Sequence, residues 1–391
     1  MELTERINQI YDRVVAHRRW LHAHPEPSGQ EKNTAAYVAQ TLRKIGLTPT
    51  ENVGGYGVTA VITGDKPGKC VGLRADFDAL NQEEATGLPF ASENPGVFHG
   101  CGHDMHTAML LGAAQILYDL RHTLAGSVKL IFQPSEENVA DSGAKRMIAD
   151  GVLENPKVDV MLAQHVSPHY PTGTIALRSG AMSASSDRFA IAVSGKSSHG
   201  SAPEDGVDAV VMGTQVISAL QTIISRNIGP QDSAVLTIGT VQAGSRYNII
   251  PDSFKMEGTC RTLNPQIQNE LPKRMESIVA GITQGMGGGY TFSYTRGFSP
   301  IMNEPQQTAK LIDTATARLG KENVVLQDKA TMIGEDFSFF AQKVPGVFYW
   351  LGCRQDGAPF YPLHSNQFCP DEAAMRTGIA MLVSAACQQL A

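Results

Sequence analysis

A helix followed by a buried strand is predicted by residues 105–132, which read MHTAMLLGAAQILYDLRHTLAGSVKLIF. Met105–Leu120 has the apolar spacing of an amphipathic helix, and Val128–Phe132 is a short apolar run typical of a buried strand. Further apolar runs lie before it, at Cys70–Ala75, and after it, at Val158–Ala163, so helices and strands alternate along the chain. This alternation predicts an α/β fold.

Residues 183–295 show a different pattern from the segments on either side. Polar and apolar residues alternate in Asp187–Ser194 and Ala234–Val241, and two amphipathic helices accompany these strands. The order strand, helix, strand, strand, helix, strand is typical of a small α+β sandwich. We therefore predict a domain inserted at residues 183–295 into a main domain built from residues 1–182 and 296–391.

The composition of the 391 residues, with 42% hydrophobic and 18% charged side chains, is that of a globular protein. A formal net charge of -6 gives no basic excess for nucleic acid, and no run of ~20 apolar residues predicts a membrane span. The first residues lack the pattern of a secretion signal, and the six cysteines are scattered without CxxC pairs. These features predict a cytoplasmic protein that binds neither nucleic acid nor membrane.

The segment His99–His106 places a thiol, several imidazoles and a carboxylate in one short loop before a helix. Cys101 and His103 are separated by one residue, so both could face one metal ion, and the glycines beside the cysteine allow close approach of the backbone. A helix capped by Asp104 beside solvated histidines is the alternative interpretation. His106 is not among the predicted ligands, since it can point along the helix.

Two adjacent glutamates, Glu136 and Glu137, follow the predicted strand Val128–Phe132. Adjacent side chains at a strand end point in different directions, so one carboxylate can bind a metal while its neighbour acts as a base. A helix-capping pair is the alternative, because Ser135 before two glutamates is a common helix entry.

Two single histidines also lie beyond predicted strands. His165 follows an apolar strand, and His364 lies past the last predicted strand, although each could instead be structural. Because α/β folds assemble their sites where strands end, we expect Cys101, the paired glutamates and these histidines to converge on two divalent ions. The thiolate favours zinc or a similar ion over magnesium.

Seven motifs occur in order along the chain. They are residues 18–26 (RRWLHAHPE), 73–80 (LRADFDAL), 99–114, 131–137 (IFQPSEE), 195–200 (GKSSHG), 247–251 (YNIIP) and 334–337 (GEDF). With these motifs the sequence resembles, over nearly its whole length, the di-metal amidohydrolases that include aminoacylases, hippurate hydrolases and indoleacetyl-amino-acid hydrolases. The resemblance implies a di-metal aminopeptidase-like catalytic domain and an inserted α+β sandwich that serves as a lid and carries the dimer contact.

The resemblance also implies roles for individual residues. It implies a metal-ligand set of Cys101, His103, Glu137, His165 and His364, with Glu136 as catalytic base, Asp76 as a supporting catalytic carboxylate, His199 as oxyanion donor and Asn248 as a substrate-binding residue. From the residues alone, Asp76 could orient a ligand histidine or be a loop carboxylate held by Arg74. His199 and Asn248 could likewise be polar loop residues.

Two segments depart from the family's pattern. Asn81-Gln82 replaces the proline and aliphatic residue that usually follow the Asp-Ala-Leu segment, and residues 140–143, Ala-Asp-Ser-Gly, replace a commoner glycine pair. We expect neither segment to contact a metal ligand. Both could border the substrate, and so we expect them to affect substrate preference.

The predicted activity is hydrolysis of the amide bond of an N-acyl amino acid, which releases a carboxylic acid and a free amino acid. Two divalent ions per chain (zinc, manganese, cobalt or nickel) would activate water, with Glu136 as proton carrier and no covalent intermediate. The expected partners are a small N-acyl amino acid or short peptide and a second copy of the chain.

Two alternatives remain open at the level of the sequence. A dipeptidase or carboxypeptidase on the same scaffold is the first, since a peptide is also an N-acyl amino acid. A metal-free, non-catalytic binding protein is the second. It would be expected to lack a ligand or the base, whereas each proposed position carries the required residue.

Overall fold

The computed structural model describes residues 2–391 and divides into two compact units. The first unit contains the described residues through Met182, together with Met302–Lys329 and Asp336–Ala391, and the second contains Ser183–Ile301 and Ala330–Glu335. The predicted boundary at residue 295 lies inside a strand, Gly289–Phe298, and the inserted unit therefore continues to Ile301.

Helices and strands alternate along the chain. The strands, in chain order, are β1 (Thr50–Val53), β2 (Gly57–Thr63), β3 (Lys66–Asp76), β4 (Ala125–Gln133), β5 (Val160–Pro171), β6 (Ile175–Leu177), β7 (Gly180–Ser183), β8 (Ser186–Ser194), β9 (Ser198–His199), β10 (Ala234–Ala243), β11 (Ile249–Ile250), β12 (Ser253–Thr262), β13 (Gly289–Phe298), β14 (Ile301–Asn303), β15 (Val324–Leu326) and β16 (Gly346–Arg354). The α-helices are α1 (Leu3–Ala23), α2 (Lys32–Ile45), α3 (His103–Leu120), α4 (Gly143–Ala149), α5 (Ala209–Thr222), α6 (Pro265–Gly285), α7 (Pro305–Leu319), α8 (Phe337–Ala341) and α9 (Ala374–Leu390). Short 3-10 helices lie at Arg121–Thr123, Pro203–Asp205 and Lys321–Asn323, and a π-helical turn, Ile223–Asn227, continues α5.

The first unit is built on a mixed sheet in the order β1-β2-β4-β3-β5-β16-β6-β15. Its central strands β4, β3, β5 and β16 are parallel, so their carboxyl ends meet at one edge. Asp76 at the end of β3 pairs in register with Gln133 at the end of β4, and His165 of β5 pairs with Trp350 of β16. The predicted α/β class is confirmed, and this edge collects the polar residues that follow the strands.

Helix α3 is buried along nearly its whole length, which explains its continuous apolar run. It packs so closely that Gly112 has no room for a side chain. A Cβ there would lie 2.8 Å from Val14 Cγ2 of α1 and 3.0 Å from Ile379 Cδ1 of α9. The first turn of α3, which begins at His103, is buried as well.

The second unit is the α+β sandwich that the sequence predicts. An antiparallel sheet in the order β10-β12-β8-β13 packs against α5 and α6 around a separate apolar core. Within it, buried Asp187 accepts hydrogen bonds from Tyr294 Oη at 2.8 Å, Gln268 Nε2 at 3.0 Å and the Gly297 backbone N–H at 3.0 Å. Strand β10 forms one edge of this sheet, and Val235 and Val241 on it are exposed.

None of the helices in residues 2–391 combines the length and the apolar character needed to cross a membrane. All six cysteines are free thiols: Cys70, Cys101, Cys260 and Cys353 are buried, Cys387 is half-buried and Cys369 is exposed.

Candidate metal centre

The predicted ligands of the first unit converge at the carboxyl edge of the sheet. Cys101 belongs to the turn that leads into α3, where Gly102 adopts a positive φ of 85°. A side chain at Gly102 would clash, since a Cβ would lie 2.5 Å from Val166 Cγ2. Glycine is therefore required here by both conformation and space, and it lets the Cys101 loop approach the strand that carries His165.

Two triads of potential metal ligands share the thiol of Cys101. One is Cys101, His103 and His165, and the other is Cys101, Glu137 and His364; within each, the ligand atoms all lie within 4.8 Å of one another. Cys101 Sγ is 3.4 Å from His165 Nε2 and 3.3 Å from His364 Nε2, and His364 Nε2 is 3.1 Å from Glu137 Oε1. The geometry therefore brings together all five residues predicted as ligands.

The chemistry of these residues fits a pair of divalent cations. His103 Nε2 is buried, and among residues 2–391 it has no hydrogen-bond partner. Burial and the neighbouring carboxylates of Glu137 and Glu136 hold the pKa of the Cys101 thiol well above its usual range, so a thiolate needs positive charge beside it. Sulfur, nitrogen and carboxylate oxygen donors together are typical of zinc and similar ions.

Asp78, which is not among the site residues predicted from the sequence, contacts both triads. Its backbone oxygen and Oδ1 accept from His103 Nδ1 at 2.9 and 3.1 Å, which leaves Nε2 as the nitrogen that can bind metal. Its Oδ2 accepts from the Glu137 backbone N–H at 3.0 Å and from Ser28 Oγ at 2.7 Å. The two-residue spacing from Asp76 was an available signal, because alternate residues of an extended segment share a side.

Asp76 is bonded to Arg74 and His106. Its Oδ2 accepts from Arg74 Nη1 at 2.7 Å, and its Oδ1 accepts from His106 Nδ1 at 2.5 Å. His106 Nε2 in turn accepts from the Val166 backbone N–H at 2.9 Å, so both ring nitrogens of His106 are engaged. Asp76 thus supports the strand beside His165 through His106, and its own Oδ2 is 3.8 Å from His103 Nε2.

The turn between β4 and the paired glutamates has an uncommon backbone conformation. Ser135 has a positive φ of 52°, and its backbone N–H donates to Glu31 Oε1 at 2.8 Å. Burial, with a smaller contribution from Asp78, raises the pKa of Glu31 to about 7. This turn places ligand atoms of Glu136, Glu137 and His103 within 4.8 Å of one another.

Glu136 is also contacted by Asp336, a second residue absent from the sequence-based site. The Asp336 backbone N–H points to Glu136 Oε1 at 3.4 Å. The Asp336 carboxylate accepts from Arg74 Nη2 at 2.8 Å, Gln133 Nε2 at 2.8 Å and Ser142 Oγ at 2.7 Å. Because Arg74 also binds Asp76, one buried guanidinium links the two acidic sides of the centre.

His199 and Asn248 belong to the inserted unit. The short strands β9 and β11 pair there, with His199 opposite Ile249, so the two predicted residues are neighbours. His199 is exposed, and its Nδ1 lies 2.7 Å from Ser201 Oγ. The Oδ1 atom of Asn248 is buried and has no hydrogen-bond partner in the described part of the chain.

Known proteins are similar to this chain in sequence and in fold. The model of peptidase family M20/M25/M40 matches residues 72–388. The chain is 39% identical over 302 residues to an N-acyl-L-amino acid amidohydrolase of Geobacillus stearothermophilus, covering 77% of this chain and 81% of that protein. It is 39% identical over 385 residues to thermostable carboxypeptidase 1 of Saccharolobus solfataricus, covering 97% and 96%. A solved structure, the YXEP protein of Bacillus subtilis, is a dinuclear metal-binding peptidase of the M20 family and matches with a TM-score of 0.85 and 34% identity over 98% of this chain and 99% of that one.

Replacing Asp78 tests its contact with both triads. Asp78→Ala removes the acceptor of the Glu137 N–H and one acceptor of His103 Nδ1, and we expect metal affinity to fall by about 10- to 100-fold. Asp78→Asn is the matched control, because it keeps one side-chain oxygen and should lose less. Competition titration with a chelator measures both, and wild-type affinity in Asp78→Ala would show that Asp78 does not support the ligands.

Proposed function

Because the chain belongs to peptidase family M20/M25/M40, we propose that it is a metal-dependent amidohydrolase that cleaves N-acyl amino acids into a carboxylic acid and a free amino acid. The observation that carries the proposal is the sharing of Cys101 between two ligand triads beside the carboxylate of Glu136. Such a centre calls for two cations and provides a base next to them. The similarity to an N-acyl-L-amino acid amidohydrolase supports the substrate class.

The metal ligands that we propose are those implied by the resemblance to the di-metal amidohydrolases. The ligands are Cys101, His103, Glu137, His165 and His364, with Cys101 common to both ions. Zinc, manganese, cobalt and nickel all suit this mixture of donors, and the thiolate disfavours magnesium.

Glu136 is the residue to which we assign proton transfer. Two divalent ions, when bound, supply the Lewis-acid chemistry that polarises a carbonyl and lowers the pKa of water. Glu136 takes a proton from the attacking water and delivers it to the departing nitrogen, so that a C–O bond forms, the amide C–N bond breaks and one water is consumed. The Ser135 turn and the Asp336 N–H hold its carboxylate beside Glu137 and His103. Asp76 supports this arrangement through His106 and Arg74.

The inserted unit supplies the remaining roles in the proposal. His199 donates a hydrogen bond to the developing oxyanion, and Asn248, with its unpartnered Oδ1 among the described residues, holds the substrate. The unit also joins two copies of the chain, because an exposed edge such as β10 is a ready template for pairing. A cytoplasmic location stays a prediction that rests on the scattered cysteines, all of which are free.

A carboxypeptidase or dipeptidase is the second candidate, and the carboxypeptidase relative with 39% identity favours it. Assays of metal-reconstituted protein on acetyl, benzoyl and indoleacetyl amino acids, with dipeptides in parallel, separate the two. We expect kcat/KM to be higher for the N-acyl amino acids. A preference for dipeptides would move the assignment to the second candidate, and inactivity on every substrate, despite two bound ions, would argue for a binding protein.

Substitution of the paired glutamates separates the base from the ligand. Glu136→Gln keeps the shape but cannot accept the proton, and we expect kcat to fall by ~10²- to 10⁴-fold with both ions retained. Glu137→Gln should weaken metal binding as well as activity. Turnover and metal content measured together check this, and near-normal kcat in Glu136→Gln would mean that another residue is the base.

A mixed-dimer experiment tests whether His199 acts on the active site of the neighbouring chain. We expect His199 to act on the site of the neighbouring chain, because the lids would pair through their edges. Glu136→Gln and His199→Ala chains, each inactive alone, should regain activity after subunit exchange, since each mixed dimer then has one site with both residues intact. A value near half of wild type per mixed dimer supports this arrangement, whereas inactive mixed dimers would exclude it.

A further inference from the structure

Gln82 lies in the segment where this chain departs from its family's pattern, and the structure connects it to a proposed metal ligand. Gln82 Nε2 donates a hydrogen bond to the backbone oxygen of His364 at 2.8 Å. The expectation that Asn81-Gln82 contacts no metal ligand is therefore wrong for Gln82. We propose that Gln82 is a positioning residue that holds His364 for the ion bound by Cys101, Glu137 and His364, an inference that rests on the proposed di-metal site.

His364 needs such support more than the other proposed ligands. Its side chain is 52% exposed, compared with 16% for Glu137, while Cys101, His103 and His165 are buried. Packing therefore constrains the buried ligands more than it constrains His364.

The backbone of His364 is also in an uncommon state. Its φ is +65°, in the left-handed region that residues with a Cβ rarely adopt. Hydrogen bonds hold both of its backbone polar groups: the N–H donates to the Gly100 oxygen at 2.8 Å, and the C=O accepts from Gln82. Gly100 precedes Cys101, so the first bond ties His364 to the loop of the shared ligand, and the second ties it to Gln82.

Gln82 is itself part of a segment that is firmly attached on both sides. The Leu80 backbone N–H donates to the Phe98 oxygen at 3.0 Å, and the Ala85 N–H donates to the Asn366 oxygen at 2.8 Å, which adds a second bond to the His364 loop. Glu84 between them bonds His22 Nε2 at 3.2 Å and the Ser92 N–H at 2.6 Å. Through these contacts the segment is anchored to helix α1 and holds the His364 loop in place.

The inference predicts an effect on one ion only. In the other triad, His103 is oriented by Asp78, and His165 Nδ1 donates to the Val166 oxygen at 2.8 Å. Cys101 is shared and buried. Loss of the Gln82 bond should therefore weaken the ion at the His364 triad and leave the ion of the His103 and His165 triad in place.

The experiment follows the removal of Zn²⁺ from fully loaded protein by a chromophoric chelator. Gln82→Met keeps the length of the side chain but has no donor, and Gln82→Glu replaces the donor with an acceptor. For each we expect the affinity for one of the two ions to fall by about 10- to 100-fold, while the affinity for the other stays within twofold of wild type. Asn81→Ala, at the exposed neighbour, is the matched control and should match wild type for both ions.

His364→Ala serves as the reference for complete loss of that ligand. If it binds one ion fewer while both Gln82 variants keep wild-type affinity for both ions, the role of Gln82 is wrong and the di-metal site stands. If both ions weaken equally in the Gln82 variants, Gln82 supports the fold and does not position His364. If wild-type protein never exceeds one ion per chain, the proposed di-metal function itself fails.

Discussion

Buried negative charge at the carboxyl edge of the sheet is the constraint on which the first unit depends. Acidic side chains from the end of β3 and from the turn after β4 meet there with the thiol of Cys101, and buried charges are costly unless positive groups or N–H donors meet them. Arg74, which is 1% exposed, balances part of this negative charge by binding both Asp76 and Asp336. Two cations bound at the proposed ligands would balance the rest.

The sequence could predict those parts of the site that have local signals. A carboxylate pair after a strand and a Cys-Gly-His turn before a helix are recognisable within a few residues, and parallel strands bring their ends together. Contacts between distant segments left no such signal. Arg74 and Asp336 are 262 positions apart, and Gln82 and His364 are 282 apart, so only the folded chain reveals them.

The inserted unit also contains a buried carboxylate whose charge is met by hydrogen-bond donors. One buried carboxylate, Asp187, is satisfied by donors from a helix and from the end of β13, among them the N–H of Gly297. That bond lies beyond residue 295, which explains physically why the unit extends further than the change in sequence pattern predicts. The α+β class itself could be predicted because alternation of polar and apolar residues is a local property.

The order of the proposed ligands along the chain has a consequence for biosynthesis. Cys101, His103 and His165 are all translated before the insertion, whereas His364 follows it. Strand β16 lies between β5 and β6. One side of β5, the strand that contains His165, therefore has no partner strand until residues 346–354 have left the ribosome. The sheet of the inserted unit needs only residues 186–298 and can form earlier. The triad that includes His364 therefore cannot be complete until the last part of the chain has been translated, and it depends on the most exposed of the five proposed ligands.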